Sequence, residues 1–209
     1  MKKINMRTFV LTGMFVALVF LFGFIPAIGL IPLGFINLTL LHLPVIIGTL
    51  LLGFKPGLLL GACFGIVSSM SAFGIYGTPS ALAAALVAAQ PLLALIVCFV
   101  PRLLVPTVTH FVYKFFSKKD ARSLKAIVPA AVLGSLTNTI FYLGLMLLFY
   151  ITCDIDASKI LEMLGSKGVL TATGAVAATG LVGGAGEAIL AGILSKPVLS
   201  AVWKLEKHI

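Results

Sequence analysis

The stretch FVLTGMFVALVFLFGFIPAIGLIPLGFINLTLLHLPVIIGTLLLGF, residues 9–54, contains no Lys, Arg, Asp or Glu. A second uncharged run follows from residue 56 to residue 101. One α-helix needs about 20 apolar residues to cross a bilayer, so each run holds more than one crossing. The alternating polarity of a membrane β-barrel is absent from both runs. The sequence therefore predicts an all-α integral membrane protein.

The composition of the whole chain leads to the same class. Of its 209 residues, 60% are hydrophobic and only 10% are charged, which is too little charge for a soluble domain. The net charge of +9 would suggest nucleic acid in a soluble protein, but here we attribute it to membrane topology, with the lipid bilayer as a partner and no nucleic acid. Cys63, Cys98 and Cys153 lack a CxxC spacing, so we expect no metal site and no cofactor.

Pro, Gly and charged residues divide the chain into six predicted spans. These are residues 8–25, 38–53, 57–75, 80–100, 127–150 and 172–198 of a single transmembrane domain, residues 1–209. The first is expected to be a retained span, because no small-residue cleavage pattern follows it.

The distribution of positive charge predicts the orientation of these spans. With the N-terminus inside, only Lys159 and Lys167 fall in outer segments. The other thirteen of the 15 Lys and Arg residues fall inside, namely Lys2, Lys3, Arg7, Lys55, Arg102, Lys114, Lys118, Lys119, Arg122, Lys125, Lys196, Lys204 and Lys207. Cytoplasmic loops of membrane proteins carry such an excess. We therefore expect a multi-pass plasma-membrane protein with both termini cytoplasmic.

Glu187 is the one acidic residue placed within a predicted span, in the sequence GGAGEA. A charged side chain at mid-membrane costs roughly 3 kcal/mol on insertion scales, so it should face the protein interior or a wet cavity. The surrounding glycines allow a ligand or a helix to approach closely. Contact with a ligand and a protonated side chain bonded between helices both remain open.

Other polar residues of the predicted spans share a depth between mid-membrane and the outer face. Singly, a residue such as His42 or Gln90 is explained by packing, but the shared depth predicts one pocket that opens outward. No Lys or Arg falls within it. The candidate substrate-binding residues are Asn37, His42, Ser69, Tyr76, Gln90, Asn138, Tyr142 and Glu187.

Three further features concern surfaces and connections. Gly13 and Ala17 form a small-residue pair on span one, which suits either packing within the bundle or docking of another subunit. The apolar, Pro/Gly-broken connection 25–37 is expected to be a lid, with an interfacial re-entrant turn as the alternative. The basic segment 102–125 is expected to continue span four as a cytoplasmic helix.

Catalytic signatures are missing from the sequence. It contains no GxxxxGK[ST] phosphate loop, no HExxH and no GxSxG. We therefore expect no catalytic residues and no enzyme activity, although an intramembrane enzyme and a purely structural protein remain competing classes. A pocket without an energy source predicts a binding subunit that other chains drive.

The chain resembles the substrate-binding S components of energy-coupling factor (ECF) vitamin transporters. The members assigned to pantothenate are the most similar subgroup. The resemblance covers essentially the whole chain and rests on Gly13/Ala17, residues 31–34 (IPLG), 37–48 (NLTLLHLPVIIG), 52–57 (LGFKPG), 61–68 (GACFGIVS), 134–139 (GSLTNT) and 186–189 (GEAI).

The resemblance implies a substrate pocket near the outer surface, capped by the connection between spans one and two. It implies assembly with a membrane coupling T subunit and two cytoplasmic ATPases, and transport by tilting of the S component. Gly13 and Ala17 would then meet the T subunit. The implied ligand is a water-soluble vitamin, best matched by pantothenate. Because the predicted pocket lacks a cation, a neutral ligand such as pyridoxine or a hydroxymethylpyrimidine remains an alternative, as do folate and cobalamin.

Overall fold

The computed structural model describes residues 6–25, 30–32, 37–76, 79–117, 122–153 and 169–205 of the chain. Within these ranges, seven helices surround a buried apolar core, and a short antiparallel hairpin lies at one end. In chain order the elements are α1 (Met6–Phe24), β1 (Leu30–Pro32), β2 (Asn37–Thr39), α2 (His42–Leu52), α3 (Phe54–Ala72), α4 (Ala81–Ala89), α5 (Pro91–Ser117), α6 (Leu124–Thr152) and α7 (Val169–Leu205). The helical class is therefore confirmed, with the hairpin as an addition that the sequence did not indicate.

Five of the described helices are long and apolar enough to cross a membrane. They are α1, α3, α5, α6 and the portion of α7 from Gly183 to Lys204. Helix α2, within the predicted span 38–53, has 11 residues and is therefore about 16 Å long, well short of the hydrocarbon core. Its sequence is preceded by β2, whose extended backbone occupies the first part of that predicted span.

Glycines set the close approach of neighbouring helices. On α3, Gly61 lies against the backbone carbonyl of Arg102 on α5, and Gly65 lies against the ring of Phe99. Going from Gly61 to Gly65 on α3, the contacted position on α5 moves back from Arg102 to Phe99, so the two helices are antiparallel. Small residues allow such approaches because no side chain holds the backbones apart. Gly61 and Gly65 therefore pack inside the bundle.

The same arrangement relates α6 and α7. Gly184 lies against Thr139, and Gly192 lies against Val132. Helices α2 and α3 are also antiparallel, and the chain reverses between them at Gly53, whose φ of 94° suits glycine. Successive long elements thus run up and down the bundle.

The predicted span 80–100 is two helices rather than one. Gln90, with φ −148° and ψ 84°, separates α4 from α5. The following residue is Pro91, which disfavours helical backbone at the preceding position and suits the first turn of a new helix. Helix α5 then continues to Ser117 as one helix, despite Pro101 and Pro106. The expected continuation of this span beyond residue 101 is thus observed as far as Ser117.

The helix directions place the charges asymmetrically. Apart from Arg102, every Lys and Arg in the described ranges lies at the end of the bundle opposite the hairpin. These residues are Arg7, Lys55, Lys114, Arg122, Lys125, Lys196 and Lys204. Arg102 is 6% exposed and lies within α5, so its assignment to an inner segment was wrong.

The packing at Gly61 gives a testable expectation. A Cβ added to Gly61 would lie 2.6 Å from the Arg102 carbonyl oxygen, and backbone cannot move away as a flexible side chain can. We expect Gly61→Ala to destabilise the protein by about 1–3 kcal/mol, the usual cost of overpacking. Thermal unfolding of the purified protein in detergent measures this.

Gly144→Ala is the matched control. Gly144 is also within a helix, but a Cβ there meets nothing within 4 Å. An unchanged melting temperature in Gly61→Ala, or an equal drop in both variants, would contradict tight α3–α5 packing.

Candidate functional site

A cavity lies in the half of the bundle nearest the hairpin. Its lining comes from Thr39 of β2, from Ser80 before α4, and from helices α3 to α7. The polar residues of the lining are Thr39, Ser68, Ser71, Ser80, Arg102, Asn138, Thr139, Tyr142 and Glu187. Alanine, leucine, valine and methionine side chains of α3 to α6 provide most of the apolar surface, and Gly180, Gly183 and Gly184 of α7 leave room beside it.

Arg102 supplies a buried cation to this cavity. It lies 11 positions after Pro91, and therefore about 16 Å along α5 from the hairpin end. The guanidinium carbon lies 4.5 Å from the ring centre of Tyr142 and 5.3 Å from that of Phe64. Aromatic faces attract a cation at such distances, especially away from water. The two rings therefore hold the guanidinium between α3 and α6.

The hydrogen bonds of Arg102 leave part of its donor capacity unused. One terminal nitrogen, Nη1, donates to the carbonyl of Val97 at 2.8 Å. Nε has no hydrogen-bond partner in the described part of the chain. Buried donors without partners are rare in native proteins, and an unfilled ligand site is one reason for them. The free donor edge suits the planar, bidentate geometry of a carboxylate.

Glu187 connects the cavity to the hairpin. Its Oε1 accepts a hydrogen bond of 2.7 Å from the backbone N–H of Thr39, which lies 148 positions earlier in the chain. The carboxyl group is 5% exposed and also interacts electrostatically with Arg102. The cavity lining thus includes one acidic and one basic side chain. Glu187 faces the protein interior, as its position within a span required.

Asn138 and Tyr142 lie one helical turn apart on α6, and both line the cavity. Asn138 is 4% exposed, and its Oδ1 has no partner among the described residues. An open acceptor in the cavity suits an N–H or O–H group of a ligand. The structure therefore brings together three of the candidate residues, Asn138, Tyr142 and Glu187.

Four other candidates lie outside the cavity lining. The hydroxyl of Ser69 donates to the carbonyl of Gly65 at 2.8 Å. The serines of α3 that line the cavity are Ser68 and Ser71, because they lie on the helix face that points towards it. His42 is fully buried, with Nε2 3.0 Å from Ser135 Oγ. Gln90 is exposed at the break between α4 and α5.

Tyr76 is the fourth of these residues. Its hydroxyl donates to the carbonyl of Val67 at 3.0 Å, and its ring meets that of Phe24 edge-on. Burial raises the pKa of this phenol to about 12. The tyrosine therefore joins the ends of α1 and α3 and does not line the cavity.

Two sequence-based candidates fall at or beyond the edge of the described residues. Asn37 is described only by its backbone, which pairs with Pro32 in the hairpin. Most of the proposed lid, residues 26–29 and 33–36, lies outside the described ranges.

The interpretation that the pocket lacks Lys and Arg was wrong, because Arg102 lines the cavity. The predicted span 80–100 ended before Arg102, and the helix that continues it was expected to be cytoplasmic. The apolar sequence that follows, LLVPTVT at 103–109, was the signal that this part of the helix packs within the bundle. Thr39, Ser68, Ser71, Ser80 and Thr139 also line the cavity and were not among the candidates.

Gly13 and Ala17 are both exposed on the outward face of α1. A Cβ at Gly13 would meet nothing within 4 Å. The pair does not pack against another described helix, and α1 is the least buried of the five long apolar helices.

The chain is similar to a known family and to a characterised transporter. The family described as "ECF transporter, substrate-specific component" matches residues 7–195. The pantothenic acid transporter PanT of Lactococcus lactis subsp. cremoris (strain MG1363) is 36% identical over 120 residues, which are 54% of this chain. The match spans only 57% of the length of that relative. The family match covers nearly the whole bundle and every described residue of the cavity lining, so this chain belongs to the substrate-specific components of ECF transporters.

Proposed function

We propose that this chain is the subunit that binds pantothenate in an ECF-type importer of a bacterial plasma membrane, and that it is not itself an enzyme. The observation that carries the proposal is the buried guanidinium of Arg102 at the cavity wall, with Nε unpaired among the described residues. Pantothenate has a carboxylate at one end, an amide in the middle and two hydroxyls at the other end. A buried cation gives an anion of this kind a partner that a neutral vitamin would leave unused.

The other groups of the cavity suit the rest of this molecule. Asn138 Oδ1 is an acceptor for the amide N–H or for a hydroxyl, and the hydroxyls of Ser68, Ser71 and Ser80 are placed around the remaining space. The apolar lining suits the two methyl groups on the quaternary carbon between the hydroxyl-bearing carbons of pantothenate. The similarity to a relative named as a pantothenic acid transporter supports the same ligand.

Uptake requires an energy source, and the sequence contains no phosphate loop. We propose that a membrane T subunit and two cytoplasmic ATPases supply it, and that the exposed Gly13/Ala17 face of α1 receives the T subunit. Helix association in lipid depends on close packing, which small residues permit. Tilting of the whole subunit would then carry the cavity from one side of the membrane to the other.

We further propose that the bundle crosses the membrane six times, with α2 and its preceding hairpin strand as the second crossing. The positively charged end would be cytoplasmic and the hairpin end outside. The cavity would then face the side from which a nutrient arrives.

Ligand binding tests the role of Arg102. Arg102→Gln removes the charge, and loss of one partner of a buried charged pair costs about 2–5 kcal/mol, so Kd should rise at least roughly thirtyfold. Isothermal titration of the purified protein should also show that wild type prefers pantothenate over the neutral alcohol pantothenol. The variant should lose that preference. A preference that survives Arg102→Gln would contradict the assignment.

A matched amide pair tests the extent of the cavity. Asn138→Ala removes a cavity group, and we expect Kd to rise about fivefold to 150-fold, the effect of about 1–3 kcal/mol. Gln90→Ala removes an exposed amide outside the cavity and should leave Kd unchanged. Equal effects of the two substitutions would mean that ligand binds elsewhere.

Docking can be separated from binding. We expect Gly13→Trp or Ala17→Trp to abolish ATP-driven uptake and weaken co-purification with the ATPases, while Kd stays unchanged, because the bulky ring holds a partner helix away. Ile193→Trp is the control, since Ile193 is also exposed but lies on a different helix, α7. Uptake that survives both α1 substitutions would refute this docking face.

Cysteine labelling tests the orientation. In a variant without the native cysteines, Phe73→Cys lies at the hairpin end and Lys55→Cys at the basic end. A membrane-impermeant maleimide should label position 73 in intact cells and position 55 only after permeabilisation. The reverse pattern would overturn the proposed topology.

A further inference from the structure

We propose that the cavity takes up one proton on Glu187 each time it binds its carboxylate ligand, so that the bound species is the anion plus a proton. This inference rests on the proposed function, because it requires a ligand carboxylate beside Arg102. It goes beyond the choice of ligand, because it concerns the net charge of the cavity when the ligand is bound.

The first step concerns charge balance in the empty cavity. Arg102 remains charged at any physiological pH, since guanidinium cannot be deprotonated in proteins. An uncompensated charge away from water is strongly unfavourable. Glu187 is the one acidic residue in the described ranges, it is 5% exposed, and it interacts electrostatically with Arg102. An ionised Glu187 would balance this charge in the empty site.

The second step is the arrival of another carboxylate. Arg102 donates from Nη1 to the carbonyl of Val97, and its guanidinium lies over two aromatic rings. Its Nε has no partner among the described residues. A ligand carboxylate can therefore accept a hydrogen bond from Nε. Two carboxylates would then share one guanidinium in a site of low dielectric. When two carboxylates share such a site, one of them is protonated. Arg102 can balance only one negative charge.

The third step identifies which group takes the proton. Elements packed around Glu187 contribute the titratable or charged groups His42 from α2, Arg102 and Cys98 from α5, and Tyr142 from α6. A guanidinium, a thiol and a phenol have no acceptor site for a further proton of the kind that a carboxylate offers. His42 has Nε2 3.0 Å from Ser135 Oγ and an Nδ1 without a partner among the described residues, but it does not line the cavity.

Glu187 is the remaining acceptor of a proton at the cavity surface. In both charge states one oxygen can keep the hydrogen bond from the Thr39 N–H, while the other carries the proton. The lining from β2, α3 and α4 in the described ranges is limited to backbone N–H, hydroxyl and apolar groups. The protonated carboxyl leaves Arg102 balanced by the ligand alone.

Linkage gives the sign of the effect. Suppose that binding takes up one proton on Glu187. At every pH at which Glu187 is ionised in the protein without ligand, affinity then falls about tenfold for each unit by which the pH rises. Between about pH 6 and pH 8 a free carboxylate is already ionised, so the ligand itself contributes no proton change. Isothermal titration of pantothenate in two buffers that differ in ionisation enthalpy counts the protons directly.

We expect close to one proton per pantothenate in wild type, and none with the neutral pantothenol. Glu187→Gln keeps an acceptor for the Thr39 N–H, so it should bind without proton uptake and with an affinity independent of pH. Ser195→Ala is the control, because Ser195 is buried on the same helix but outside the cavity, and it should behave as wild type.

Each alternative outcome is decisive. Pantothenate binding to wild type without proton uptake overturns the inference and leaves the proposed function intact, and this measurement does not depend on any variant folding. Uptake that persists in Glu187→Gln also overturns it, since the proton would go elsewhere. Absence of pantothenate binding to wild type overturns the proposed function and the inference together.

Discussion

Arg102 is a permanent cation held within an apolar bundle, and the surrounding helices are arranged to accommodate it. Phe64 of α3 and Tyr142 of α6 present ring faces to the guanidinium, and Val97 one turn earlier on α5 accepts one of its hydrogen bonds. In hydrocarbon no water is available to compensate such a group, so protein atoms must do so. The glycine at position 61 brings α3 against the Arg102 backbone and thereby brings Phe64 within reach.

Glu187 lines the cavity and also holds the hairpin against the helix bundle. Its hydrogen bond to the Thr39 N–H joins the short hairpin to the middle of α7. The hairpin is too small to be stable by itself, since two paired strands of three residues bury almost no apolar surface. The cavity and the segment that precedes α2 are therefore connected through one carboxylate. A change in the position of Glu187 therefore acts on both.

The sequence was sufficient for the helical membrane class and for most helix positions, because long uncharged runs and the placement of Pro, Gly and Lys are local features. It also indicated that Asn138 and Tyr142 share a face, which follows from the helical period alone. Arg102 was missed because what stabilises it comes from α3 and α6, far away in sequence. A charged residue after a proline was taken as a membrane boundary, although tertiary packing at this position makes it part of the interior.

The errors at Gln90 and Ser69 have smaller physical causes. Pro91 sets an extended backbone at Gln90 and turns that amide out of the bundle. Among the serines of α3, helix phase decides which face the cavity, and a phase error of one residue changes the choice. Whether the cavity residues bind substrate remains a prediction that only ligand measurements test.

The bond between Thr39 and Glu187 also has a consequence for the evolution of related sequences. Its donor is a backbone N–H, which every residue except proline provides. Position 39 can therefore drift among many side chains without losing this contact, whereas position 187 must keep an acceptor of the right length. In related sequences, only one of the two positions that form the contact would be restricted. It would appear as a restricted residue on α7 with no co-varying partner, and methods that infer contacts from paired substitutions would not detect it.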